Sequence, residues 1–331
     1  MTPYLIGIDG GGTNARLVAV DIAGSVLGNC RGKSTNIESN PPEVVRENLR
    51  ALFTEFFVGS GCAPKLCKGV CLGTAGVDTQ DTKETVEGLL TSLNLPFPSL
   101  VVNDAEIALA GQTEGKPGII LISGTGSIGL GVNAQGEVHR VGGYGYLVSD
   151  EGSSYWVAKE AIAASLRSFD RIGPDTRLLA MLENALKLPA FDKIIDFVYT
   201  TNKSDIARLA PLVPDAAAEG DEIAADIMKR ASIHLCNMAA ALAERLNMCG
   251  QPYPLVYSGG FLTNTPSLVE ALRRDVAAKC PNLSLTPLAV EAEWGAVYLI
   301  AKKVNVKLKK SKHALMDGVV VGMLQDTGAT A

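Results

Sequence analysis

The chain has 331 residues, 47% of them hydrophobic and 20% charged, and a net charge of −5. That length accommodates two lobes of ordinary domain size with substantial cores. The acidic balance excludes a general affinity for nucleic acid, so a bound phosphate must be held by backbone donors and a metal, and no run of residues is apolar for long enough to span a bilayer.

The seven cysteines are an odd number. Cys62, Cys67 and Cys71 lack Cys-x-x-Cys spacing and no histidine pair follows them, which speaks against structural zinc. Buried reduced thiols and an N-terminus without a basic, signal-type apolar run place the expected location in the cytoplasm.

The first predicted elements are two strands, Tyr4-Leu5-Ile6 and Ala15 to Val20, joined through Asp9-Gly10-Gly11-Gly12-Thr13-Asn14. A glycine-rich segment between strand-like runs predicts a hairpin. Its bare backbone N–H groups can nest an anion, with Thr13 and Asn14 adding donors. Asp9, at the strand end, can hold Mg²⁺ through waters. A plain glycine turn is the alternative for these residues. They are not a P-loop, because no Gly-Lys-Ser/Thr follows, nor a Rossmann fingerprint, because a strand and not a helix comes next.

A third strand is expected over Ser25 to Arg31, then the polar loop Gly32 to Asn36. Pro41-Pro42-Glu43 opens a helix whose Val44, Val45, Leu49, Leu52, Phe53 and Phe56 keep helical spacing. Gly69 to Leu72 reads as a buried strand, Thr82 to Leu93 as a helix, and Ser99 to Val102 as a second buried strand ending at Asn103-Asp104. A short helix is expected from Ala105 to Gly111. The opening then recurs. Gly118 to Ile122 is a strand, Ser123-Gly124-Thr125-Gly126-Ser127 a small-residue turn, Ile128 to Val132 the return strand, and Glu137 to Val141 a third. This repetition predicts two related lobes. Beyond a glycine-rich loop, Gly142 to Ser153, helices are expected from Ser153/Ser154 to Phe169, over 175–187, 191–200 and 204–210, and from Asp221 to Met248. Strand Leu255-Val256-Tyr257, the turn Ser258-Gly259-Gly260, a helix from Pro266, strand Leu283 to Leu285 and a last helix from about Glu291 complete the pattern. After Lys302 the chain becomes basic and then small and polar, which predicts a peripheral tail.

Asp104 is a candidate general base, since a carboxylate at a strand end can accept a hydroxyl proton and align the oxygen. Capping the following helix is the structural alternative for the same residue.

In this order the motifs resemble the hexokinase–actin ATPase superfamily. Ile8-Asp9-Gly10-Gly11-Gly12-Thr13, Ser34-Thr35-Asn36, Ile122 to Ser127, and Gly142-Gly143-Tyr144-Gly145 with Ser149-Asp150-Glu151-Gly152-Ser153 are similar to the N-acetylglucosamine kinase branch of the BadF/BadG-type ATPases, over roughly residues 4–302. The resemblance implies an α/β fold of two ribonuclease-H-like, actin/hexokinase-type lobes with a central cleft: an N-terminal lobe over 1–115, a helix-rich C-terminal lobe over 116–302, and the tail over 303–331. It implies ATP and Mg²⁺, with Gly10, Gly11, Gly12, Thr13 and Asn14 on the β/γ-phosphates, Gly124, Thr125, Gly126 and Ser127 opposing them, Gly259 and Gly260 beside the adenosine, and Asp9 toward the metal. It implies an amino sugar held by Asn36, Asp104, Tyr144, Gly145 and Asp150, N-acetylglucosamine first, with glucosamine and N-acetylmuramic acid as rivals, and a homodimer. Tyr144 stands where better-known relatives have Trp, and Ala75 where some have a hydroxyl. Two rivals remain within the superfamily. One is a sugar sensor without catalysis. The other is an activator ATPase, whose cluster cysteine is missing here, where Ile122-Ser123 precedes Gly124-Thr125-Gly126.

Overall fold

The computed structural model describes residues 2–309 of the chain. Strand β1 (Tyr4–Gly10) sends alternate side chains to opposite faces, as a period of two requires: Tyr4, Ile6 and Ile8 enter one core and Leu5 another. It pairs antiparallel with β2 (Asn14–Asp21), which pairs antiparallel with β3 (Val26–Lys33). Helix α1 (Pro42–Ser60) opens on proline, whose missing N–H has no helical partner at that position anyway, and buries Val45, Leu49, Leu52, Phe53 and Phe56, while Val44, expected with them, is exposed. β4 (Cys67–Thr74) joins parallel to β1, α2 (Gln80–Thr91) follows, and β5 (Ser99–Asn103) joins parallel to β4. β5 runs directly into α3 (Asp104–Thr113). The sheet order is β3-β2-β1-β4-β5.

The second sheet repeats this plan. β6 (Gly118–Ser123), β7 (Ser127–Val132) and β8 (Val138–Gly142) form the antiparallel part. Seven helices intervene: α4 (Ser154–Phe169), α5 (Leu178–Leu186), α6 (Ile194–Thr200), α7 (Lys203–Ala207), α8 (Leu212–Ala218), α9 (Glu222–Arg245) and, after β9 (Tyr253–Ser258), the single turn α10 (Gly260–Thr263). α11 (Pro266–Lys279) leads to β10 (Leu283–Pro287). β9 lies parallel to β6 and β10 parallel to β9, giving β10-β9-β6-β7-β8, the first sheet's order with β6 in the place of β1. The duplication expected from the two glycine turns is therefore present in the topology. α9 buries Ile227, Ala231, Leu235 and Leu242, with Ile223 and Met238 partly buried against the same core.

The boundaries depart from the sequence reading in one respect. The last helix, α12 (Ala292–Lys303), was expected in the second lobe. The chain instead divides into one unit running to Lys116 and resuming at Leu288, and another from Pro117 to Pro287. Trp294, Ala296, Val297 and Ile300 of α12 share a core with Leu5, Val18, Val20 and Ile107. A Cβ on Gly295 would stand 1.7 Å from Ile107 O and 2.5 Å from Gly111 N, so α12 and α3 meet backbone to backbone. Gly295→Val is expected to cost about 3 kcal/mol or more, the upper range for overpacking, read as a fall in Tm; an unchanged Tm would disprove this packing. Residues 310–331, most of the expected tail, lie outside the described residues.

Two further details differ. α8 was not among the expected helices; its Pro214 sits in the first helical turn, where N–H groups lack intrahelical partners. The helix expected over 191–200 begins as a 3₁₀ turn, Phe191–Lys193.

Candidate active site

In the first unit the glycine turn is seated on two buried threonines. A Cβ on Gly10 would fall 2.0 Å from Thr35 Oγ1 and 2.8 Å from Thr74 Oγ1, so only glycine fits there. The two hydroxyls lie 3.0 Å apart, and Thr74 Oγ1 donates to Gly10 O at 2.9 Å. Ser34 Oγ donates to Gly11 O at 3.1 Å. The loop Ser34-Thr35-Asn36 thus fixes the turn that presents Gly11 to Asn14 to solvent. Asn36 forms the Asx turn that its loop position suggests, accepting from Glu38 N at 2.8 Å, while its Nδ2 lies 3.8 Å from where a Cβ on Gly12 would be.

Asp104 is the first residue of α3. The cap is Asn103: its Oδ1 accepts from Ala105 N at 2.8 Å, and Glu106 Oε1 accepts from Asn103 N at 3.2 Å, closing a capping box. This corrects the alternative in which Asp104 itself caps the helix. Asn103→Ala should lower stability by about 1 kcal/mol, the usual cost of losing such a cap. A denaturant titration measures it, and a midpoint equal to wild type would refute it. With the cap supplied by its neighbour, Asp104 makes one short-range bond, accepting from Ala105 N at 2.9 Å. Burial raises its pKa above the ordinary carboxylate value; the Ala105 N–H opposes the shift, and the charges of Asp9 and Asp78 reinforce it. The first unit therefore holds Asp9, the Gly10–Asn14 turn, Asn36 and Asp104, with Asp9 and Asp104 close enough for their charges to interact.

In the second unit the turn after β6 is held by the loop that follows β8. Ser127 Oγ donates to Glu151 O at 2.8 Å, Ser123 Oγ to Gly152 O at 2.8 Å, and Ser154 Oγ to Gly124 O at 2.9 Å. Asp150 is buried, 6% exposed, and its Oδ2 lies 2.8 Å from where a Cβ on Gly126 would be. Burial raises its pKa, with the Ser127 N–H and the Lys203 charge opposing. Asp150 thus braces the Gly124–Ser127 turn, a role the motif alone did not reveal. Tyr144 is 64% exposed, with the Arg140 guanidinium 5.1 Å from its ring centroid. Gly259, at φ +95°, lies so close to Ser123 that a Cβ would be 2.3 Å from Ser123 O. Gly260 starts α10 beside Gly124.

Gly124, Thr125 and Gly260 line one cavity of about 640 Å³, together with Ser154, Arg208 and Asn264. That volume lies within the usual range for small-ligand sites. Arg208 and Asn264 were missed in the sequence, since neither belongs to a recurring motif; only their place just past the ends of α7 and α10 brings them to the cavity.

The metal expected at Asp9 has one carboxylate to meet it. Among the described residues no cluster of three or more His, Cys, Asp or Glu is placed to hold an ion. Asp9 Oδ2 already accepts from Arg16 Nη2 at 2.6 Å. A single carboxylate suits Mg²⁺ arriving with phosphate oxygens and keeping its waters, so the residues fit a nucleotide-borne ion.

Two sheets of identical strand order, each with a glycine turn after its first strand, define an actin/hexokinase-type ATPase fold. The profile of the BadF/BadG/BcrA/BcrD ATPase family matches residues 6–298, and the chain belongs to that family. It is 35% identical to an N-acetylmuramic acid/N-acetylglucosamine kinase of Clostridium acetobutylicum, covering 89% of this chain and 97% of that one. It is 30% identical to an N-acetyl-D-glucosamine kinase of Dictyostelium discoideum, covering 89% and 96%. Among solved structures, a Chromobacterium violaceum protein superposes with a TM-score of 0.69 at 24% identity, covering 90% and 99%.

Proposed function

We propose that this chain transfers the γ-phosphoryl group of ATP to a hydroxyl of an amino sugar, converting N-acetylglucosamine to its 6-phosphate, with glucosamine and N-acetylmuramic acid as the alternative acceptors. The observation that carries the reading is the Asp104 carboxylate. It opens α3 directly after the edge strand β5, is relieved of capping by Asn103, and is surrounded by burial and negative charge that favour its taking a proton. In the proposed reaction Asp104 accepts the sugar hydroxyl proton as the oxygen bonds the γ-phosphorus and the bond to ADP breaks. If the transition state is loose, alignment by Asp104 counts for more than basicity. The turns Gly10–Asn14 and Gly124–Ser127 supply backbone donors to the phosphates. Gly259 and Gly260 leave room for the purine, and Asn36, Tyr144, Gly145 and Asp150 orient the sugar. Mg²⁺, held through Asp9, would neutralise phosphate charge. The names of the two relatives support the acceptor class.

A coupled ADP-release assay across N-acetylglucosamine, glucosamine, N-acetylmuramic acid, N-acetylmannosamine and glucose tests this. ADP release should require a sugar and be fastest with N-acetylglucosamine. A rate independent of sugar would overturn the proposal, and a faster rate with another amino sugar would select that acceptor.

A homodimer through the second unit is part of the same proposal. Phe169, Ile172, Ile195 and Tyr199 are exposed there, and the Phe169 ring lies 5.7 Å from that of Phe191, just before α6. A cytoplasmic location is also proposed, in keeping with seven free cysteines. No helix among the described residues is long and apolar enough to cross a membrane.

A further inference from the structure

Arg16 stands between two carboxylates. The antiparallel register sets it opposite Asp9, to whose Oδ2 its Nη2 donates at 2.6 Å. Its Nε lies 3.8 Å from Glu293 Oε2, an ion pair too long for a hydrogen bond. Glu293 occupies the first turn of α12, and its carbonyl crosses Gly7 at the base of the same strand end. Glu293 Oε2 is buried and accepts no hydrogen bond. A buried carboxylate oxygen left without a donor costs free energy. Here the nearest cation is committed to a neighbour, and a shift of about 1 Å would bring Arg16 Nε into hydrogen-bond range of that oxygen.

Asp9 cannot serve Arg16 and a hydrated divalent cation equally well. Both approach as positive charges, and two like charges on one carboxylate repel. We propose that Arg16 is a transferable counter-ion, which neutralises Asp9 until a nucleotide-borne divalent cation reaches it and then moves to Glu293. Glu293 is on this account a positioning residue: it receives the guanidinium and so lowers the cost of clearing Asp9. The inference rests on the reading of Asp9 as the residue that meets Mg²⁺.

Mn²⁺ binding in the presence of ADP, followed through the electron paramagnetic resonance of the free ion, tests the handover without turnover. E293Q removes the receiving charge and should weaken Mn²⁺ binding about fivefold, equivalent to ~1 kcal/mol for a partly exposed ion pair. R16Q removes the competitor and should tighten it. R16Q/E293Q should recover at least wild-type affinity, whereas a merely structural pairing would leave the double variant no better than E293Q. Thermal melts establish that each variant folds. If E293Q does not fold, R16Q alone decides: unchanged or weaker Mn²⁺ binding overturns the proposal. Wild-type affinity in E293Q, with Asp9→Asn weakened, overturns the handover and leaves the metal reading standing. Wild-type affinity in Asp9→Asn overturns both.

Discussion

Asp104→Asn should lower kcat at least ~10²-fold, the scale of losing a general base, while leaving sugar affinity near wild type and raising the Tm. The three effects have one source. Asparagine has the shape of aspartate, and its Oδ1 can still accept from Ala105 N, where Asp104 accepts now at 2.9 Å. What it loses is the charge that burial, Asp9 and Asp78 all disfavour. The sign of the stability change follows from linkage. The folded chain holds the Asp104 proton more tightly than the unfolded chain does. Between the ordinary carboxylate pKa and the raised one, the folded state therefore binds more protons, and stability falls as pH rises through that interval. Glu106, raised by burial as well, contributes in the same direction. Asp104→Asn should remove Asp104's share of that slope. The same raised pKa places the loss of wild-type activity on acidification above the ordinary carboxylate range, because a protonated Asp104 cannot accept the hydroxyl proton. Near-native turnover in Asp104→Asn would end the catalytic assignment. A lower Tm would show that the carboxylate is a structural necessity and not a tolerated cost.

The sequence was most legible where backbone geometry leaves a single residue type. Gly10 over two threonine hydroxyls stands at a turn that the glycine run itself marks, and Gly259 against Ser123 at one that the family resemblance picked out. The strands around them were equally plain, because β1 alternates between two cores and keeps period two. Partner choice was much less legible. The hydrophobic pattern of α12 predicts a helix but not the sheet that receives it, and contact with α3 through Gly295 depends on residues remote in sequence. The pairing of Asp9 with Arg16 follows from counting outward from the hairpin turn. Glu293 beside them follows from no local rule. Asp150 was read as a sugar contact from its motif, and its bracing of Gly126 became visible only with the fold. Arg208 and Asn264 were invisible because a cavity wall assembled from short helices leaves no periodic signature.

The adjacent glycines 259 and 260 should behave oppositely on substitution, and the contrast separates scaffold from ligand. At Gly259, φ is +95°, and a Cβ would meet backbone atoms of Ser123 at 2.3 to 2.7 Å. Neither problem is relieved by a rotamer change, since the obstacle is main chain. Gly259→Ala should therefore cost about 3 kcal/mol or more, combining backbone strain with overpacking, and should disturb the β6 end and the Gly124 turn with it. At Gly260 a Cβ would meet only Asn264 Nδ2, at 4.0 Å, and φ is not in the left-handed region. Gly260→Ala should leave stability within about 1 kcal/mol of wild type, with any change toward greater stability because alanine favours the helix. If a purine lies against this glycine, the added methyl blocks it, and the ADP dissociation constant should rise at least about tenfold, a 1.4 kcal/mol penalty typical of one intruding methyl. Calorimetric titration of ADP and a thermal melt on both variants measure the pair. An unaltered ADP affinity in a fully stable Gly260→Ala would move the nucleoside away from this turn, and the 640 Å³ cavity beside it would need another occupant.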